Sequence, residues 1–254
     1  MSCEGCPSQG KCGKNSETCG IQSNPDNHIK NIITVMSGKG GVGKSTVTVM
    51  LAKAMAKKGL KVGIMDADIT GPSIPRLLAL TNQHAYGNEK QQLIPIESKE
   101  GIKVMSLNFL VQSESDPVIW RGPVIGGVVK QFYTDVVWGD LDVLLIDMPP
   151  GTGDVALTIM QSIPVQGVVM VSTPQPMVSM IVEKACHMCE KMEVKVLGII
   201  VFVHFSPTLV TIQEHFFNLC DFKRSFHGFH PFLYIFGKAL SQLCLSHSIA
   251  QSFP

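Results

Sequence analysis

Met36 to Thr46 reads "MSGKGGVGKST", and this stretch decides how the rest of the chain is read. Gly38 to Ser45 satisfies G-x-x-x-x-G-K-[ST], a loop whose backbone N–H groups ring a phosphate. That pattern carries weight only between a strand and a helix. "NIITVMS" (31–37) is a short β-branched run suited to a buried strand. "STVTVMLAKAMAKKG" (45–59) then has helical spacing and ends at Gly59, a C-cap residue. The glycines let the amides turn inward, and the helix offers its positive N-terminal end to the same anion. The predicted nucleotide contacts are Gly38, Lys39, Gly40, Gly41, Val42, Gly43, Lys44, Ser45 and Thr46. Lys44 is placed to reach the β- and γ-phosphates, Ser45 to ligate Mg²⁺, and Thr46 to reach the α-phosphate. Lys39 is a second lysine that the pattern does not require.

Outward from the loop, strands alternate with helices. "KVGIMDAD" (61–68) is a strand ending in acidic residues, and "GIKVMSL" (101–107) is a further strand. "GGVVKQFYTDVVWGD" (126–140) is a predicted helix, and "LDVLLIDMPPGTGD" (141–154) a strand entering a Pro/Gly loop. "QGVVMVSTPQP" (166–176), the helix "MVSMIVEKACHMCEKM" (177–192) and the strand "VKVLGII" (194–200) complete the series. Strands that are apolar throughout imply a parallel sheet covered on both faces. The expected fold is α/β, a doubly wound, mostly parallel sheet around a phosphate loop, over residues 29–200.

Asp147 ends an apolar strand, where a carboxylate can hold a Mg²⁺-bound water. Asp66 and Asp68 end another strand, at the sheet edge where ligands bind in such folds, and either could orient an attacking water. The loop Pro149 to Asp154 is hinged by glycine and suited to sensing the γ-phosphate.

The chain has 254 residues, net charge +1 and 16% charged residues, which gives no electrostatic case for nucleic acid or an acidic membrane as main partner. No apolar run approaches the ~18 residues of a membrane span, and the first thirty residues hold no apolar signal region. The expectation is a cytoplasmic protein.

Of the eight cysteines, Cys3, Cys6, Cys12 and Cys19 fall in a polar arm, residues 1–28. Four thiolates can hold a [4Fe–4S] cluster or zinc; the other reading is a reactive, unliganded tail. Cys186 and Cys189 lie three apart on a predicted helix, where the core reading is preferred. Beyond residue 200 the composition changes. Ten of the 12 phenylalanines and five of the 8 histidines lie in 201–254, with only Glu214 and Asp221 acidic. Neither helical nor strand periodicity persists there. A frame or splicing artefact, a divergent domain and a rearranged terminus compete; the composition favours the artefact.

The early lysine in "KGGVGKST" resembles the deviant phosphate loop of the dimeric ATPases that include nitrogenase iron protein, the arsenite pump ATPase and the septum-positioning and plasmid-partition ATPases. "GIMDADITGPSIPRLL", "VIWRGP" and "DVLLIDMPPGTGDVALTIMQ" closely resemble the Mrp-type iron–sulfur cluster carriers, from about Ile32 to Ile200. The resemblance implies ATP hydrolysis coupled to holding a cluster and handing it to apo iron–sulfur proteins. It implies a homodimer in which Lys39 reaches the partner's nucleotide, and it favours Asp68 over Asp66 as the switch aspartate. "CEGCPSQGKC" resembles the amino-terminal cluster segment of some relatives. Those have a further upstream cysteine, whose place Cys19 would have to take. The family's cluster-bridging CxxC and its adenine-reading asparagine, expected just after "VKVLGII", are absent from this sequence; Cys220 and Cys244 are single. A positioning or partition ATPase and a nucleotide-binding scaffold without turnover are the alternative functions.

Overall fold

The computed structural model describes residues 24–213 apart from 70, 91, 112–121, 174–175 and 206–208. The chain runs β1 (His28–Ser37), α1 (Lys44–Lys57), β2 (Val62–Asp66), α2 (Ile74–Leu77), β3 (Ile96–Glu97), β4 (Lys103–Met105), α3 (Gly122–Thr134), β5 (Asp140–Asp147), α4 (Asp154–Ser162), β6 (Gly167–Ser172), α5 (Pro176–Lys191), β7 (Lys195–Phe205) and β8 (Leu209–Gln213). The sheet order is β3-β4-β2-β5-β1-β6-β7-β8. Every pairing from β4 to β7 is parallel, and β3 and β8 are antiparallel edges. The doubly wound, mostly parallel sheet expected from the sequence is the fold observed.

Period-two alternation divides the strands between two cores. Ile33, Val35, Ile64, Leu145 and Val171 pack with Val47, Leu51, Ala52 and Met55 of α1. Ile32, Met36, Leu144, Ile146 and Met170 pack with residues of α3, α4 and α5. Because both faces are covered there, the buried stretches Ile32–Ser37, Val62–Asp66 and Val143–Asp147 carry no polar alternation, as a parallel sheet requires. Each large apolar side chain so enclosed contributes about 1.5–3 kcal/mol relative to exposure. Gly63 of β2 is needed for this packing: a Cβ there would lie 2.6 Å from Leu141 Cδ1. α1 closes where the sequence places its stop. Gly59 has φ +83 and donates its N–H to Ala56 O at 2.9 Å.

Several boundaries differ from the sequence reading. The helix expected over 126–140 ends at Thr134. Val136 instead bridges Leu93, Trp138 is fully buried with Nε1 donating to Phe132 O at 3.0 Å, and Gly139 turns at φ +62 into β5. Burial of a β-branched and an aromatic residue outweighs helical continuation there. The strand expected over 101–107 keeps only Lys103–Met105 and passes into a single 3-10 turn at Leu107–Phe109. The arm expected to run to residue 28 meets the fold earlier. Asn24 is buried, and Asn27 donates Nδ2–H to Val136 O and accepts from Gly139 N–H, both at 2.9 Å. At the other end β7 continues past residue 200 to Phe205, and β8 adds an edge strand from the segment read as lacking periodicity.

Candidate nucleotide site

Three parallel strands deliver the site to one edge of the sheet. β1 ends at Ser37 and passes into the glycine loop; β2 ends at Asp66 and β5 at Asp147. The register pairs Asp66 with Asp147, and Val35 with Asp147, so the two carboxylates stand level just before the loop begins. Alternation turns both toward the α1 face, because Ile64 and Leu145, two residues earlier, lie in the core that α1 covers. Gly43 has φ +87 and ends the loop in a left-handed turn that opens α1 at Lys44.

The side chains then converge. Lys44 is buried, and its Nζ donates to Asp147 Oδ2 at 2.8 Å and lies 3.7 Å from Asp68 Oδ2. Ser45 Oγ–H donates to the same Asp147 oxygen at 2.6 Å. Thr48, one helical turn on, donates to Asp147 Oδ1 at 2.7 Å. Asp147 is wholly enclosed, and all its charge is answered by α1. Removing one partner of such a pair strands a buried charge at a cost of about 3–5 kcal/mol. Thr48 is a contact that the sequence reading missed. Its signal is a polar residue on the apolar face of α1, four residues after Lys44.

Asp66 is also fully buried. Its Oδ2 accepts from Ser106 Oγ–H at 3.1 Å and its Oδ1 from the Asp68 backbone N–H at 3.3 Å. Desolvation, reinforced by the neighbouring Asp147 carboxylate, pushes its acid up to about 8, against a smaller downward pull from Lys44. Burial thus favours the protonated form of Asp66, whereas Asp68, less enclosed, points a carboxylate oxygen at Lys44.

The loop 149–154 is tied to the same edge. Gly151 has φ +86 and donates its N–H to Ser37 O at 2.8 Å, and Met148 N–H donates to Val35 O at 3.1 Å. Gly38 is hemmed in from the other side: an added Cβ would lie 3.0 Å from Ile181 Cγ2 of α5. Lys39 is half-buried with its carbonyl accepting from Ser37 Oγ–H at 2.9 Å, while Gly40, Gly41 and Thr46 are exposed on the rim. The Ser45 hydroxyl and the Asp147 carboxylate form a pair of hard oxygen donors, which fits Mg²⁺.

Cys186 and Cys189 do not fit a thiolate metal site. Both lie in the core, and burial, with nearby acidic groups adding to it, pushes their thiols up to about 11 and 12. Among the described residues no group of three or more His, Cys, Asp or Glu is arranged to hold a metal ion. Cys3, Cys6, Cys12 and Cys19 lie outside the described residues, as do "VIWR" (118–121), Cys220 and Cys244. No helix among the described residues is long and apolar enough to cross a membrane.

The model of the NUBPL iron-transfer P-loop NTPases matches residues 28–217, three quarters of the chain. The chain belongs to this family. As an NUBPL-type NTPase it is 50% identical over 212 residues to an iron-sulfur cluster carrier protein of Clostridium perfringens, covering 78% of this chain and 75% of that one. It is 47% identical over 173 residues to the iron-sulfur cluster transfer protein NUBPL of Dictyostelium discoideum, covering 68% of this chain and 53% of the other. Among solved structures it resembles a nucleotide-binding protein of Archaeoglobus fulgidus in complex with ADP. The TM-score is 0.62 at 46% identity, over 73% of this chain and 72% of that one. The septum site-determining protein MinD of Pyrococcus horikoshii, complexed with Mg-ADP, shares the fold at TM-score 0.50 and 21% identity, over 68% and 70% of the two chains. The family match passes residue 200 and ends at 217, so the family pattern reaches into the segment that composition alone sets apart.

Proposed function

We propose that this NUBPL-type NTPase binds Mg·ATP at the glycine loop, hydrolyses it as a homodimer, and carries iron–sulfur clusters to apoproteins. The observation that carries the nucleotide half is the convergence of Lys44, Ser45, Asp68 and Asp147 at one sheet edge. The relatives' names as cluster carriers support the cargo half.

In this reading the loop amides and Lys44 bind the β- and γ-phosphates, and Lys44 exchanges its bond to Asp147 for the phosphate oxygens. Ser45 and Asp147 are the residues that would hold Mg²⁺, which when bound neutralises the charge developing on the phosphates. Asp68 orients the attacking water. Lys39 from a second copy supplies a further cation where transition-state charge spreads, in the manner of an arginine finger. Turnover is then slow in the single subunit, because its cation set is incomplete. Gly151, hydrogen-bonded to Ser37, lets the 149–154 loop register the γ-phosphate. The cluster is cargo, held by Cys3, Cys6, Cys12 and Cys19.

The test is anaerobic reconstitution with iron and sulfide, followed by transfer to an apo iron–sulfur protein with and without Mg·ATP. The reading expects a cluster absorption band in the wild type, its loss in the Cys3/Cys6/Cys12/Cys19→Ser variant, and transfer that responds to ATP. A stoichiometric cluster in both proteins contradicts the ligand assignment; a wild type without cluster contradicts the carrier reading.

A further inference from the structure

Among the described residues two buried side-chain oxygens have no hydrogen-bond partner, Thr34 Oγ1 and Thr173 Oγ1. An unsatisfied buried polar group costs about 1–3 kcal/mol, so each calls for a reason. Thr34 sits in the middle of β1, in alternation with Ile32 and Met36, inside the core on the face away from α1. It is fully buried. Thr173 differs by its place.

Thr173 directly follows β6. The last β1–β6 pair is Ser37 with Val171, so Thr173 stands two residues further toward the rim, beside the glycine loop. Val169 and Val171 belong to the core on the α1 face, whereas Val168 and Met170 belong to the other. The same alternation, continued by one residue past the strand, would place Thr173 on the α1 face. Asp147 reaches that face in the same way on the opposite flank of β1, after Val143 and Leu145. The loop is thus bracketed by a carboxylate on the β5 flank and an orphan hydroxyl on the β6 flank.

The two flanks have different tasks. Lys44, Ser45 and Asp68 gather around Asp147, which fixes the Mg²⁺ and γ-phosphate end of a bound nucleotide on the β5 flank. A triphosphate lying along the loop must therefore send its nucleoside out over the β6 flank. Gly38, packed against Ile181 and the Val182 backbone, closes the space between the loop and α5 on that side. Bulk solvent does not satisfy the Thr173 hydroxyl, whose oxygen is buried.

We infer that Thr173 is a nucleotide-positioning residue whose hydroxyl hydrogen-bonds the ribose of the bound nucleoside triphosphate. The inference rests on the nucleotide reading above and deepens it: the β/γ end is held by charge on one flank, the nucleoside end by a neutral hydroxyl on the other. It accounts for a polar atom kept at a cost in the free protein, since its partner arrives with the ligand.

The test compares the wild type with Thr173→Val, which keeps the shape and removes the hydroxyl, and with Thr173→Ser, which keeps the hydroxyl. Affinities for Mg·ATP and for inorganic tripolyphosphate are measured by calorimetry, and the thermal midpoint of each free protein is recorded. Thr173→Val is expected to weaken ATP binding about threefold to tenfold, the worth of one hydrogen bond, and to leave tripolyphosphate unchanged. Its free protein melts no lower than the wild type, because an unsatisfied polar atom has been replaced by a methyl group. Thr173→Ser stays close to the wild type for ATP. Unchanged ATP affinity in Thr173→Val, or an equal loss for both ligands, would overturn the assignment. Absence of ATP binding in the wild type would overturn the nucleotide reading, and this inference with it.

Discussion

Asp66 shows how much a single position can differ from what its letter suggests. It ends β2 two residues before Asp68, yet it is sealed beneath the site while Asp68 faces Lys44. Its carboxyl holds a proton up to about pH 8 in the fold and releases it near 4 in the unfolded chain. A group whose folded acid is weaker than its unfolded one stabilises the fold fully below the unfolded value, and that contribution erodes as pH rises through the folded value. In urea unfolding without nucleotide or magnesium, the wild type should lose stability between pH 6 and pH 8.5. Asp66→Asn, an isostere of the neutral acid, should remove most of that slope; an unchanged slope would show that Asp66 is ionised in the folded protein. None of this was legible in "DAD", because burial depends on the register with β5 and on Ser106, forty residues away. The convergence of Lys44 and Ser45 was legible because the loop pattern fixes where adjacent residues open the helix. Thr48 was not, because a threonine inside a helix pattern is ordinary.

At the scale of elements, β1, α1, β5 and β6 could be read directly. Each has either an apolar, β-branched or leucine-rich inner run or a helical period, with glycine near its border. Elements that failed did so for physical reasons. Val136 and Trp138 extend the apparent period of α3, but their burial, with Val136 bridged to Leu93 and Trp138 packed by Gly63 of β2, ends the helix at Thr134. β3 and α2 have two and four residues, too few to show any period. Gly63 is the sharpest element-level constraint, since β2 lies so close to Leu141 and Leu144 that a methyl group has no room. Gly63→Ala should lower unfolding stability by about 1–3 kcal/mol in urea, the usual cost of overpacking. A cost below about 0.5 kcal/mol, the scatter of surface substitutions, would show that Leu141 repacks freely.

At the scale of the whole molecule, the site is built at one end of the sheet and the described chain enters β1 at the other. β1 leaves Asn27, clamped to Val136 and Gly139, and travels ten residues before it reaches the glycine loop. That is about 30 Å of extended chain. If Lys39 completes the site of a second copy, Mg·ATP is part of the interface. Sedimentation equilibrium should show a shift toward dimer when Mg·ATP is added, and Lys39→Ala should weaken that shift. One subunit at every concentration with Mg·ATP present would remove the shared-nucleotide mechanism while leaving the single-chain site intact. The sequence pointed to this arrangement through one extra lysine, but a single chain shows only half of any such interface.

The claim beneath all of these is that the constellation around Asp147 is a working phosphohydrolase site. Its most direct measurement is steady-state phosphate release from Mg·ATP by the wild type and by Lys44→Ala at matched concentration. The account predicts slow but measurable release by the wild type and a fall of about a hundredfold or more, to the blank, in the variant, the scale on which lost charge stabilisation acts. Equal rates in the two proteins would contradict it.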